Sequence, residues 1–198
     1  MKRTKEDAEL TKKHLLEIAF KELINSGFEN TGLEFISGKA GVTRGAVYWH
    51  FKNKDDLLDS IIEYKDLESL KIAAEIVNSK LEPFEKLKKL VGLNFPELDS
   101  PLKEKKYVRM KVELYNYLNK KGDKQKVAEN FIKMCKDLLD ECKKRNELKS
   151  GIDTESTAHT ILSICAGTYI RFNSVPEKLR SIGNSKKIAL DYLNLIHK

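Results

Sequence analysis

Apolar residues along this chain recur at threes and fours and hardly ever alternate, so the pattern predicts helices throughout. Leu15, Ile18, Ala19, Leu23 and Ile24 form the first stripe, and Asn25, Ser26 and Gly27 stop it, a glycine suiting the position just beyond a helix end. Two short helical periods follow between Thr31 and Phe51. A long helix is expected from about Lys54 to Asn78, because Leu57, Leu58, Ile61, Ile62, Leu67, Leu70 and Ala74 keep helical spacing with no breaker between them. Pro83, Pro96 and Pro101 then bracket a short helix carrying Phe84, Leu87, Leu90, Val91 and Leu93, followed by one from Leu102 to about Leu118. After a turn at Lys121, Gly122 and Asp123, the run from Val127 through Phe131, Met134, Cys135, Leu138 and Leu139 to Cys142 marks the next, closed near Ser150 and Gly151.

The last two periods differ from the rest. A helix capped by Asp153 or Thr154 and running to about Asn173 carries Ala158, Ile161, Leu162, Ile164, Cys165, Ala166, Tyr169, Ile170 and Phe172, which is apolar on more than one face. A final helix holds Ile188, Ala189, Leu190, Tyr192, Leu193, Leu195 and Ile196. Such a pair reads as a homodimer interface; burial within one subunit is the alternative, and periodicity does not separate the two.

The segment TGLEFISGKAGVTRGAVYWHF, from Thr31 to Phe51, carries the chemistry. Thr31 and Glu34 have the spacing of a capping box, with Leu33, Ile36 and Ala40 facing inward, and Gly41 able to turn the chain. Thr43 suits the cap of a second helix, and Val42 with Val47 has the spacing of a hydrophobic staple. Val47 and Phe51 then face the core, which leaves Arg44, Gly45, Tyr48 and Trp49 on the outer side. Two short helices locked across a tight turn, the second presenting arginine and aromatics, make a surface able to enter a DNA major groove. Trp49 also reads as a surface packing residue and His50 as an inward-turned histidine. Lys52 and Lys54 stand at the start of the long helix, where unpaired N–H groups favour a phosphate, and would position rather than specify.

Composition changes this picture little. The chain has 198 residues and a formal net charge of +7, which favours a polyanionic partner, but Lys86, Lys88, Lys89, Lys103, Lys105 and Lys106 in mid-chain also read as solvated helix faces. Cys135, Cys142 and Cys165 make no ligand spacing with His14, His50, His159 and His197, so no metal site is assigned. An odd number of cysteines after a charged start points to the cytoplasm, and no apolar run approaches membrane-spanning length. No nucleophile-elbow, P-loop, H-E-x-x-H or dinucleotide pattern is present, so no catalytic residue and no cofactor is assigned.

The stretch GVTRGAVYWHFKNKDDL, from Gly41 to Leu57, resembles the DNA-binding signature of the TetR family, and the likeness extends upstream through HLLEIAFKELINSGFENTGLEFIS to cover about the first 60 residues. Its wording is closest to repressors of multidrug efflux pumps. Ser37 and Gly38, where the family more often has alanines, and Gly32 depart from that pattern. The resemblance implies an all-α fold of about nine helices, with a helix-turn-helix domain over residues 1–53 continuous with a ligand-binding and dimerisation domain over residues 54–198. It carries DNA contact onto Thr43, Arg44, Gly45, Tyr48, Trp49, His50 and Lys54, and a phosphate contact onto Thr31. It further implies an operator of double-stranded DNA, dimerisation through the last two helices and a small-molecule effector. Met110, Glu113, Tyr117, Phe131, Met134 and Tyr169 are candidate cavity residues, their ordinary reading being core with Glu113 exposed. A ligand-independent architectural or division-linked DNA-binding protein is the alternative function.

Overall fold

The computed structural model describes residues 5–98, 100–121, 124–174 and 182–198. Among the described residues it is all-helical: α1 (Lys5–Ser26), α2 (Leu33–Ala40), α3 (Arg44–His50), α4 (Lys54–Val77), α5 (Pro83–Gly92), α6 (Pro101–Lys121), α7 (Lys124–Lys144), α8 (Thr154–Ser174) and α9 (Ile182–Ile196). Two compact units divide at Leu70 and Lys71, so that α4 begins in the first and ends in the second.

In the first unit, α1 packs on α2 and α2 on α3. Its core is formed by Leu15, Leu16, Ala19, Leu23, Leu33, Ile36, Val47, Phe51, Leu57, Leu58 and Ile61. Gly27 takes a φ of 82° and its N–H donates to the Leu23 carbonyl at 3.0 Å, ending α1 where the sequence predicts. The helical stripe of α4 does not continue as expected. Leu67, Leu70 and Ala74 are exposed, and Ala73 turns inward in their place.

The second unit is built around one apolar cluster. Phe84, Leu87, Leu90 and Val91 of α5 meet Cys135, Leu138, Leu139 and Cys142 of α7, Ala158, Ile161 and Cys165 of α8, and Ile182, Ala189, Leu193 and Ile196 of α9. Pro83 opens α5 at a position where a missing N–H costs nothing. Phe95, just after α5, fills the core, and Leu93 is exposed against expectation. Helix α7 also closes earlier than the glycine at 151 suggested. Asn146 adopts φ 62°, and the N–H groups of Asn146 and Glu147 donate back to the Lys143 and Cys142 carbonyls at 3.0 Å each.

Asp153 is the residue that caps α8, its Oδ1 accepting the Ser156 N–H at 2.8 Å. Hydrogen bonds from the Ser156 hydroxyl and N–H hold its carboxyl below the usual range. Thr154 instead donates its hydroxyl to Asp140 Oδ1 at 2.6 Å. At the end of the bundle, the Lys149 N–H donates to the Ile196 carbonyl and the Lys198 N–H to the Glu147 carbonyl, both at 2.9 Å, while the His197 ring stacks on Phe84. The three cysteines are free and buried, and loss of solvent pushes the Cys142 and Cys165 thiols up to about 12. No helix among the described residues is long and apolar enough to cross a membrane.

Candidate nucleic-acid interface

The turn between α2 and α3 is built from backbone bonds. Gly41 sits at φ 65°, ψ 27°, its N–H donates to the Gly38 carbonyl at 3.3 Å, and the Val42 N–H donates to the Ser37 carbonyl at 3.1 Å. That pairing satisfies the last carbonyls of α2, and the left-handed conformation explains a glycine there. Thr43 caps α3 as expected, its Oγ1 accepting the Ala46 N–H at 3.2 Å. Val47 and Phe51 are fully buried, which fixes the rotation of α3 about its axis.

That rotation puts the large side chains outside. Trp49 is 71% exposed and Tyr48 51%, and the Arg44 side chain is 70% exposed. Seven residues of helix span about 10 Å, comparable to a major groove about 12 Å wide. A Cβ added at Gly45 would meet only the Thr43 Oγ1, at 4.0 Å. The protein's own packing therefore gives no reason for glycine at this exposed helical position, although it costs roughly 0.5–1 kcal/mol relative to alanine. His50 is half-buried, its ring edge-on to Trp49 with centroids 4.6 Å apart and tilted against Phe51.

Several expectations are corrected. No side chain caps α2: its N-cap is Gly32, and Thr31 and Glu34 do not form a capping box. Thr31 is fully buried and donates its hydroxyl to the Gly27 carbonyl at 2.8 Å, a tie inside this unit. Ser37 replaces Ala40 as the inward residue, with its hydroxyl donating to the Glu34 carbonyl at 2.7 Å.

The start of α4 is also different from an open anion site. Asn53 Oδ1 accepts the Asp56 N–H at 2.9 Å, and Asp56 Oδ2 accepts the Lys52 N–H at 2.8 Å. The helix thus supplies its own carboxylate to its positive end. The spacing N-x-x-D at residues 53–56 carried this signal. Lys52 is exposed, whereas Lys54 is half-buried and donates from Nζ to the Glu29 carbonyl at 3.0 Å. Sequence reading also missed the ion pair of Arg44 Nη1 with Glu34 Oε1, at 2.8 Å.

Of the cavity candidates, Met110 is buried, and Phe131 and Met134 are half-buried against the core cluster, as ordinary core residues would be. Glu113 is half-buried, its Oε1 3.9 Å from Arg109 Nε, and Tyr117 is also half-buried. The Tyr169 side chain lies outside the described residues.

Residues 15–61 match the family model described as bacterial regulatory proteins, tetR family. The chain is 43% identical over 65 residues to the HTH-type transcriptional regulator AcrR of Shigella flexneri, a match covering 33% of this chain and 30% of that protein. It is 25% identical over 204 residues to the HTH-type transcriptional regulator TtgR of Pseudomonas putida, covering 98% and 97% of the two chains. Among solved structures, a complex of SmeT with triclosan superimposes with a TM-score of 0.69 at 23% identity, over 96% of this chain and 92% of that one. SmeT is the repressor of the Stenotrophomonas maltophilia multidrug efflux pump SmeDEF.

Proposed function

We propose that this chain, whose residues 15–61 match the tetR family model, works as a homodimeric repressor that binds a pseudo-palindromic DNA operator and is released by a small molecule. The observation that carries the reading is the outward face of α3, where Arg44, Tyr48 and Trp49 project from a helix rotated by the buried Val47 and Phe51. Arg44 suits a guanine edge, the two aromatics suit thymine methyls or sugar-phosphate, and Gly45 lets the helix approach closely. Thr43, His50, Lys52 and Lys54 border this face and position it. Two copies of α3 about 34 Å apart would meet successive turns of one groove face.

Dimerisation through α8 and α9 supplies the second copy. Between the exposed Glu155 and Arg171, the outward side of α8 carries Ser156, Thr160, Ser163 and Ala166, small enough for a second helix to approach, beside the larger His159, and Ile188 and Leu195 stand exposed on α9. The effector reading draws on relatives of efflux-repressor type, SmeT having been solved with triclosan. In this chain Met110, Glu113, Tyr117, Phe131, Met134 and Tyr169 are the residues proposed to meet the effector. A ligand that prefers the non-binding arrangement needs a coupling of only about 1–3 kcal/mol.

The test is selection of bound duplexes from a random pool with the purified protein, followed by a compound screen for release. A two-fold-symmetric consensus is expected, with Arg44→Ala weakening binding by about 1–3 kcal/mol and relaxing the preference at one base pair per half-site. No enriched sequence, with binding indifferent to alanine at both Arg44 and Tyr48, would sink the reading.

A further inference from the structure

Glu34 occupies the first turn of α2, where a carboxylate ordinarily serves the start of its own helix. Here it does not: the N-cap is Gly32, and the Glu34 carboxylate reaches across the turn to Arg44, the first residue of α3, at 2.8 Å. Both side chains are open to solvent, 58% and 70% exposed, so the pair adds little to folding. Its consequence falls instead on the outward face that Arg44 helps to form.

A guanidinium presents five N–H donors in a planar fork. Glu34 Oε1 meets it at Nη1, and one carboxylate does not occupy all five donors. Two effects follow, and they act differently on different DNA. The carboxylate offsets the positive charge that any phosphate would attract, and phosphate attraction is the sequence-independent part of binding. It also restrains a long side chain that would otherwise sample many rotamers, and a restrained fork discriminates between base edges better than a mobile one.

We propose that Glu34 is a positioning residue that sets specificity through Arg44, suppressing its attraction to phosphates in general while holding its remaining donors toward one base pair of the operator. This rests on the DNA-reading function proposed above.

The experiment is a double-substitution cycle. Wild type, Glu34→Gln, Arg44→Ala and the double variant are titrated by fluorescence anisotropy with the selected operator and with a random duplex of equal length, at several salt concentrations. Glu34→Gln is expected to tighten random-duplex binding by about three- to tenfold and to steepen its salt dependence by about one unit. Operator affinity should change less, so the operator-to-random ratio falls. In the Arg44→Ala background the same substitution should change that ratio by less than twofold.

Unchanged binding by Glu34→Gln overturns the proposal, as does equal tightening on both duplexes. A fall in the ratio that persists without Arg44 overturns it too, since Glu34 would then act directly on DNA by its charge. A wild-type protein that shows no operator preference defeats the DNA-reading function itself, and that outcome appears before any substitution is made. Matching thermal unfolding of the variants separates these effects from loss of the fold.

Discussion

Helices α3 and α8 face outward in opposite ways. α3 buries only Val47 and sends an arginine, a tyrosine and a tryptophan into solvent. α8 buries Ala158, Ile161 and Cys165 and shows, between the exposed Glu155 and Arg171, the short Ser156, Thr160, Ser163 and Ala166 beside His159. Long projecting side chains reach into a groove, where base edges lie several ångströms below the phosphates. Short ones let a second helix come close over many residues. Under the proposed function, the first surface suits DNA and the second another copy of the chain.

The contrast breaks most severely if the head cannot hold α3 in its rotation. Phe51→Ala removes a fully buried ring and is expected to cost about 3–5 kcal/mol. Hydrogen exchange should show lost protection in residues up to Leu70, with the second unit, from Lys71 onward, keeping its own. Equal loss in both units would mean that the head is not a separate packing unit.

A large cation on α8 tests the other surface. Ala166→Arg, at an exposed position, should weaken self-association by about 1–3 kcal/mol through overpacking and like-charge approach across the symmetry axis. Sedimentation should then show monomer at concentrations where the wild type is dimeric, with each monomer's helix content intact. An unaltered dimer would move the interface elsewhere.

Two smaller changes sharpen the account of the head. Thr43→Ala removes the cap of α3 and should cost about 1 kcal/mol, within a range of 0.5–2, read as a lower thermal midpoint. Gly38→Ala should do the reverse and stabilise by about 0.5–1 kcal/mol. A Cβ at Gly38 meets nothing within 4 Å, and a helical alanine loses less backbone entropy than glycine. A destabilised Gly38→Ala would show that α2 needs that glycine for some approach not evident in its packing.

Much of the head was legible because its signals are local. Thr43, Gly41 and the Val47 and Phe51 pair act within one or two turns of their own positions, so spacing alone predicted the cap, the bend and the buried side of α3. The same local logic failed at Thr31 and Glu34. Their spacing satisfies a capping box, but a buried carbonyl and a nearby arginine compete for the same side chains and win. At Asn53 and Asp56 the local signal was present and explains why the start of α4 is already satisfied.

The order of the helices, their approximate bounds and the turn chemistry around Gly41 and Thr43 were determined by the sequence, because backbone conformation and end-capping depend on neighbours within a few residues. Which side of a helix is covered was determined so for α3 but not along the longer helices or in α2. Leu67 and Leu195 keep apolar spacing yet stand exposed, and Ser37 lies buried, because burial depends on what the rest of the chain brings alongside. Tertiary structure alone also decided which carboxylate Arg44 meets, since that contact joins two helices whose separate patterns say nothing of each other.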